Sequence, residues 1–347
     1  MKIKIGKNLI GKGEPCFIIA EAGVNHNGSL DLAKKLIDAA CKAGVDAVKF
    51  QTFKAEDLVT ENANMFEYQK KNTGENCSQL TFLKRMELKY DDFLKLKEYC
   101  DKKGILFLST PHTEGAVDFL EPLVPAYKIG SGDLTNIPVL EKIAKKGKPI
   151  ILSTGMANLK EVKDAVKAIK RAGNSRIVLL HCTTNYPCPI EEVNLKAMLT
   201  LKKEFNLPVG YSDHTEGIVV PAAAVALEAR VIEKHFTLDN RLIGPDHKAS
   251  LEPNKLKEMV VAIRKTEQVL GIEKKIPTDS ENRIKNAVRK SIAAEMDIRK
   301  GTRITRAMLA IKRPGTGILP KDLHKVIGKV ARRDIKRNTI IKFADLK

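Results

Sequence analysis

Two short runs of this 347-residue chain place ionisable groups directly after apolar ones. In "VGYSDHTEG" (209–217) Ser212, Asp213 and His214 follow the apolar stretch that begins at Leu207, and in "ARVIEKHF" (229–236) Glu233, Lys234 and His235 follow Val231 and Ile232. His214 and His235 therefore end successive strand candidates and can converge on one ion. Two imidazoles leave coordination positions for water and substrate, which suits a catalytic divalent metal better than a closed structural zinc site. The plainer alternative is that each ring hydrogen-bonds a strand end. Glu233 has two readings as well: it orients the metal site, or it pairs with a neighbouring lysine.

Lys49 and Lys128 interrupt the ends of two other apolar runs, where a cation is costly unless an anion answers it. Small and hydroxyl residues accompany them: Ser131 between Gly130 and Gly132, Ser153 and Thr154 before Gly155, and Ser212 after Gly210. Such residues let backbone N–H groups approach an anion and add hydroxyl donors, so the set reads as a pocket for a phosphate with a carboxylate. The alternatives are lysines that reach out to solvent, or a class I aldolase in which Lys49 or Lys128 forms a Schiff base. No GxGxxG or GxxxxGK[ST] run supports a dinucleotide or ATP site.

The elements that would position these residues alternate between short apolar runs and amphipathic helical stretches. Strand candidates are "CFIIAEA" (16–22), "DAVKFQ" (46–51), "ILFLST" (105–110), "AYKIGS" (126–131), "PIILST" (149–154), "IVLLHC" (177–182), "LPVGYS" (207–212) and "RVIEKHF" (230–236). Between them run helix patterns such as 29–44, with Ser29 as N-cap and Gly44 as stop, and 158–173, opened by Asn158. Eight such units predict an α/β fold, a (β/α)8 TIM barrel over 1–271, with its site at the carboxyl ends of the strands. Glu21, Lys49, Gln51, Thr110, Lys128, Ser131, Ser153, His181, Ser212, His214, Glu233 and His235 all fall at or just after those ends.

Residues 272–286 are polar with one proline and read as a linker. Residues 287–347 form a small β-rich module with two similar turns, "DIRKGTRI" (297–304) and "DIKRNTII" (334–341). At about 60 residues without disulfides it is marginal alone, so docking onto the barrel or a partner chain is expected.

Composition narrows the function classes. The formal charge of +19 invites nucleic acid, yet aromatics are only 5%, Trp is absent, and the lysines stand beside glutamates on the helices. Solvated faces are the better reading, with the surplus steering a small anion, so neither nucleic acid nor membrane is expected as partner. The six cysteines show no metal-site spacing and read as reduced thiols. The first residues lack the apolar core of a signal peptide, so a soluble, cytoplasmic protein is expected.

The series "IIAEAGVNHNGSL", "VKFQTF", "FLSTP", "YKIGSGD", "ILSTGM", "LLHCTTNYPCP", "GYSDHTEG", "EKHFT" and "GPDHKASLEP" resembles the sialic-acid synthases, the N-acetylneuraminate and N,N′-diacetyllegionaminate synthases, across nearly the whole chain. The tail, with "KRPGTG" (312–317), resembles their antifreeze-like SAF domain. The resemblance implies condensation of phosphoenolpyruvate with an open-chain N-acylated mannosamine, aided by Mn²⁺ or Mg²⁺ on His214 and His235. It places phosphoenolpyruvate on Lys49, Thr110, Lys128, Ser131, Ser153 and Ser212. Glu21, Tyr186 and Asp246 would meet the sugar, with Glu21 and Glu233 near the chemistry, and Arg313 of the SAF domain would meet the N-acyl group. It further implies a domain-swapped homodimer. Thr184 and Asp133 depart from the Asn and Glu of many relatives at positions near the sugar.

Overall fold

A computed structural model describes all residues, Met1–Lys347, which form two compact units, Met1–Gly271 and Ile272–Lys347. The first opens with an antiparallel hairpin, β1 (Lys2–Ile5) and β2 (Asn8–Gly11), turned at Gly6 with φ 57°. Eight parallel strands follow: β3 (Phe17–Gly23), β4 (Ala47–Thr52), β5 (Leu106–Pro111), β6 (Tyr127–Ile129), β7 (Ile150–Ser153), β8 (Ile177–His181), β9 (Val209–Asp213) and β10 (Val231–His235). Their order, β5-β4-β3-β10-β9-β8-β7-β6, is that of a barrel, with β5 and β6 packed side by side where the sheet meets itself. All eight strands lie where the apolar runs predicted them.

Strand parity explains the layering. Alternate residues of a strand face opposite sides, and the inward set begins apolar: Phe17, Ile19, Ala47, Leu108, Ala126, Ile151, Val178 and Val231 cluster with Ile3, Ile5 and Ile10 of the hairpin. The hairpin thus closes the amino end of the barrel with apolar side chains. Two residues further along the same faces come Glu21, Lys49, Thr110, Lys128, Ser153, Ser212 and Glu233, and above them Gln51, His112, Thr184, His214 and His235.

The opposite parity faces the helices. Ile18, Val48, Phe50, Phe107, Leu152, Leu179, Tyr211 and Ile232 pack there against residues such as Leu36, Ile37, Leu140, Ile169 and Met259. The helix Leu30–Ala43 begins at Ser29, whose side chain accepts from the Leu32 N–H, and stops at Gly44 with φ 80°. Leu159–Arg171 begins with Asn158, and Glu161 completes a capping box that the apolar periodicity alone does not show. One ion pair interrupts this apolar layer. Lys234 and Asp213 are both fully buried and 2.6 Å apart; the lysine also donates to the Thr215 carbonyl, and Asp213 accepts from the Thr215 N–H and hydroxyl.

The second unit holds β11 (Ser291–Ala294) and β12 (Leu309–Lys312), antiparallel, around a core that includes Ile292, Ile298, Ile304, Val326, Ile335 and Ile341. Its two similar turns pair with each other. Ile298 and Ile335 exchange backbone hydrogen bonds at 2.8 Å each way; Asp334 accepts from the Lys300 N–H at 2.7 Å and Asp297 from the Arg337 N–H at 2.8 Å. Gly301 and Asn338 take the matching left-handed positions. The stretch read as a linker is not irregular throughout: it carries the helix Asp279–Val288, started by a Thr278–Glu281 capping box. Its polar composition hid it, because none of its residues is buried and no apolar stripe marks it.

The Asp213–Lys234 pair yields a stability test. Lys234→Met leaves a buried carboxylate without its partner and is expected to cost the barrel about 3–5 kcal/mol in urea unfolding, whereas Asp213→Leu combined with Lys234→Met recovers most of it.

Candidate active site

At the carboxyl end of the strands lies a cavity of about 160 Å³, lined by Glu21, Lys49, Thr110, Lys128, Ser131, Ser153, Tyr186, Ser212, His214, Glu233 and His235, with Gln51, His112, Cys182 and Thr184 completing the wall. It is smaller than the roughly 300–1,000 Å³ of pockets that enclose drug-sized ligands, and its scale is that of a small polar metabolite.

Charge dominates its floor. Lys49 Nζ lies 2.8 Å from Glu21 Oε2 and 3.8 Å from Glu233 Oε2, while Lys128 Nζ lies 3.4 Å from Glu233 Oε1. All four side chains are no more than 4% exposed. Register makes this possible, since Glu21 is the direct neighbour of Lys49 on β4 and of His235 on β10. Lys49 also donates to Thr110 Oγ1 at 2.9 Å, Gln51 to Glu21 Oε1 at 3.1 Å and Ser212 to Glu233 Oε1 at 3.1 Å. Of the two readings of Glu233, the geometry gives the ion pair, with partners from across the barrel and not the adjacent Lys234.

The protonation states follow from this packing. Burial works to lower the Lys49 ammonium, but Glu21 and Glu233 outweigh it and hold the group above its ordinary value. Lys128, with burial dominant and Lys49 nearby, is held below its own. Burial pushes Glu21 up to about 7 against the pull of Lys49. For Glu233 burial is overcome by Lys128 and Lys49, and the carboxylate stays below its usual range.

The two imidazoles stand beside this cluster with ring centroids 5.5 Å apart. Burial lowers His214, and burial with the charge of His214 and Lys49 lowers His235 well below the ordinary histidine value, so both rings are neutral near pH 7. His214 Nδ1 lies 2.7 Å from the Thr183 carbonyl, an acceptor, so Nδ1 carries the hydrogen and Nε2 keeps its lone pair. His235 Nδ1 is buried with no hydrogen-bond partner in the protein. Two neutral rings, one with its tautomer fixed and one with an orphaned nitrogen, fit a divalent ion at the 2.0–2.1 Å typical of metal–imidazole bonds. No group of three or more His, Cys, Asp or Glu side chains is assembled as a metal cage, so open positions would go to water or substrate.

The hydroxyls occupy the opposite wall. Ser131 Oγ accepts from the Gly155 N–H at 3.0 Å and sits 3.1 Å from Cys182 Sγ. Ser153 Oγ and Thr184 Oγ1 are buried without partners. A Cβ at Gly155 would meet Thr184 Oγ1 at 2.2 Å and Ser131 Oγ at 2.8 Å, so glycine is what lets backbone and hydroxyls crowd together there.

Eleven of the thirteen residues singled out in the sequence line this cavity. Asp246 does not line it; it lies buried close enough to add to the upward push on the Tyr186 phenol, and burial raises its own carboxyl to about 6. Arg313 lies in the second unit, exposed, at a cis Arg313–Pro314 peptide. Sequence reasoning missed His112, whose Nδ1 lies 3.6 Å from Asp133 Oδ2; continuing the 108, 110 alternation by one step would have found it. It missed Cys182 as well, the next inward position after Leu180. Of the two departures, Thr184 lines the cavity and Asp133 stands behind His112.

Comparison with known proteins places this arrangement. Residues 36–275 match the NeuB family, and residues 289–347 match the SAF domain. The chain belongs to the NeuB family. Among relatives of this NeuB chain, the N,N′-diacetyllegionaminic acid synthase of Legionella pneumophila is 49% identical over 336 residues, covering 95% of this chain and 94% of that one. The N-acetylneuraminate-9-phosphate synthase of Homo sapiens is 39% identical, covering 92% and 89%. A crystal structure of the N-acetylneuraminic acid synthetase of Leptospira borgpetersenii, in complex with citrate, is similar with a TM-score of 0.72 at 38% identity, covering 82% of this chain and 94% of that one. The family's barrel and SAF domain are thus the fold found here, and this NeuB chain is an enzyme. None of its helices is long and apolar enough to cross a membrane.

Two further histidines of the quoted motifs support the loops around the site. His26 Nδ1 accepts from the Gly28 N–H at 3.1 Å, and His247 Nδ1 lies 2.6 Å from Thr237 Oγ1. Burial lowers both from 6.5 to about 4. A depressed histidine stabilises the fold while it is neutral in both states; below 6.5 the unfolded chain gains protons that the folded one does not. The contribution of these two rings is therefore expected to be full above pH 6.5 and lost between pH 6.5 and 4, while the raised carboxyls of Glu21 and Asp246 act in the opposite sense; the difference in urea midpoint between wild type and the His26→Gln/His247→Gln variant should therefore shrink as pH falls from 6.5 to 4.

Proposed function

We propose that this NeuB-family enzyme joins phosphoenolpyruvate to the aldehyde of an open-chain N-acylated mannosamine, giving a nonulosonic acid and phosphate. The observation that carries the reading is one small cavity lined together by two buried lysines, four hydroxyl side chains that the sequence singles out and two neutral imidazoles. The 49% identity to proteins named N,N′-diacetyllegionaminic acid synthases puts 2,4-diacetamido-2,4,6-trideoxymannose first as the sugar, and N-acetylmannosamine second.

Phosphoenolpyruvate carries about three negative charges near neutral pH, which charge-assisted bonds from Lys49 and Lys128 would answer. Thr110 holds Lys49 in place, and the hydroxyls of Ser131, Ser153 and Ser212 supply further donors. The enol C3 attacks the aldehyde carbon, forming the new C–C bond, while the aldehyde oxygen takes up a proton. Water then bonds to the electron-poor C2 and loses one proton, and the C2–O bond to phosphate breaks as the new C2 hydroxyl gives its remaining proton to the departing phosphate, leaving the ketone. Glu21, raised to about 7, is the carboxyl suited to holding or giving a proton in this sequence. Glu233 keeps Lys49 and Lys128 converged on one point. A divalent ion, Mn²⁺ or Mg²⁺, held by His214 and His235 would supply Lewis-acid polarisation of a carbonyl oxygen. Tyr186, which lines the cavity, and Asp246, buried near it, are the candidates for sugar hydroxyls, and Arg313 is the candidate for the N-acyl group.

The test is mass spectrometry of the product formed from phosphoenolpyruvate with each of the two sugars. A nonulosonic acid from either, abolished by EDTA and restored by Mn²⁺, is expected; a borohydride-trapped adduct on Lys128 without any metal requirement would replace this reading with a Schiff-base aldolase. His235→Ala is expected to lose both turnover and Mn²⁺ binding followed by electron paramagnetic resonance, with an unchanged circular dichroism spectrum. Lys128→Met, which strips a buried charge from its partners, should lower kcat/KM for phosphoenolpyruvate by roughly a hundredfold or more.

A further inference from the structure

Outside the catalytic cluster, an aromatic series runs from the surface to the histidine pair. Tyr186 lies with its ring centroid 4.2 Å from His214 and 5.5 Å from His235. Tyr68 stacks on Tyr186 at 5.7 Å with 27° between the planes, and Phe66, 58% exposed, stacks on Tyr68 at 6.0 Å. Tyr68 comes from the long connection after β4, on the short helix Glu67–Thr73, which ends at Gly74 with φ 72°. That helix is tied to the loop carrying Asp246 by Asn72 Nδ2, which donates to the Pro245 carbonyl at 2.7 Å. Two loops distant in sequence therefore bring Tyr68, Tyr186 and Asp246 together.

We infer that Tyr68 is a positioning residue for the sugar half of the site: it holds the Tyr186 ring against the histidine pair and, together with Asp246, closes that side to anionic sugars. The inference rests on the proposed reaction for its substrate. Offset aromatic pairs favour a fixed orientation of both rings, and Tyr186 has no hydrogen bond of its own to set its angle over His214. Without Tyr68 the ring loses its outer support. Lys49 and Lys128 are held by Glu21 and Glu233 and not by the aromatic stack, so the inference expects phosphoenolpyruvate binding to be little changed when the stack is lost. Asp246, buried and without a cationic partner among its ion pairs, repels a second negative charge brought by a phosphorylated sugar.

The experiment compares wild type, Tyr68→Ala and Tyr68→Phe in steady state with phosphoenolpyruvate and 2,4-diacetamido-2,4,6-trideoxymannose, N-acetylmannosamine or N-acetylmannosamine 6-phosphate. In Tyr68→Ala the sugar KM should rise about three- to tenfold, the range that an aromatic pair supplies. The KM for phosphoenolpyruvate should stay within about twofold, preference for the unphosphorylated sugar should shrink, and Tyr68→Phe should restore the wild-type values. Hydrogen exchange provides a readout independent of turnover: amides 183–188 should exchange faster in Tyr68→Ala and not in Tyr68→Phe. Equal rises in both KM values, or unchanged exchange at 183–188, overturn the inference. A wild type that makes no nonulosonic acid from any of these sugars overturns the proposed reaction instead, and the exchange comparison then still decides whether Tyr68 holds Tyr186.

Discussion

The structure depends on four buried charges that none of the barrel strands could carry alone. An isolated ion in a protein interior costs several kcal/mol even after relaxation, and Glu21, Lys49, Lys128 and Glu233 come from four different strands. Strand register sets Glu21 beside Lys49, and the curvature of the barrel brings Lys49 and, from its far side, Lys128 within 4 Å of Glu233. Their field also sets the state of the neighbouring histidines. Buried and with two ammonium groups close by, His235 is unfavourable to protonate, and the ring stays neutral. One electrostatic arrangement thus holds two buried ammonium groups in place and keeps the two imidazoles neutral.

The barrel keeps this layer in place by what it puts below and outside it. Below lie the apolar side chains of the first inward layer and the β1–β2 hairpin, which leave no polar partner at the amino end. Outside, Asp213 and Lys234 are neighbours in sequence of Ser212, His214, Glu233 and His235, yet their parity points them at the helices. The two motifs "SDH" and "EKH" therefore each serve both faces of the sheet. Their flanking residues reach the cavity, and their central residues make a buried pair that ties β9 to β10. A one-residue slip would exchange the two sets, so the register of these strands is fixed by charge as well as by apolar packing.

Much of this is legible in the sequence. Eight apolar runs gave the strands, and polar residues at their carboxyl ends gave eleven cavity residues, because strand periodicity and the barrel rule act locally. What was not legible is long-range. Nothing near Glu233 tells that its partners are Lys49 and Lys128, since both contacts span more than a hundred residues. The β1–β2 hairpin escaped notice because "KIKI" and "NLIG" are four-residue alternations, too short to stand out. Tyr68 lies in a connection whose helices are brief and polar. The exposed helix Asp279–Val288 was legible only through its capping residues.

The spread of names among the relatives shows where such an enzyme can vary. Proteins at 49% and 39% identity are named for different sugar acids, one of them phosphorylated, while the fold is shared end to end. The charge cluster cannot drift without leaving a bare ion in the barrel, so it constrains the reaction. The sugar-facing groups are under no such constraint. Tyr68, Thr184, Tyr186 and Asp246 all sit on connections beyond the strands, where side chains are held by stacking and single hydrogen bonds. Changes there leave the buried ion pairs intact. Under the proposed reaction, the strands that carry the charge cluster would be held to one chemistry by electrostatics, while the connections could change which sugar fits.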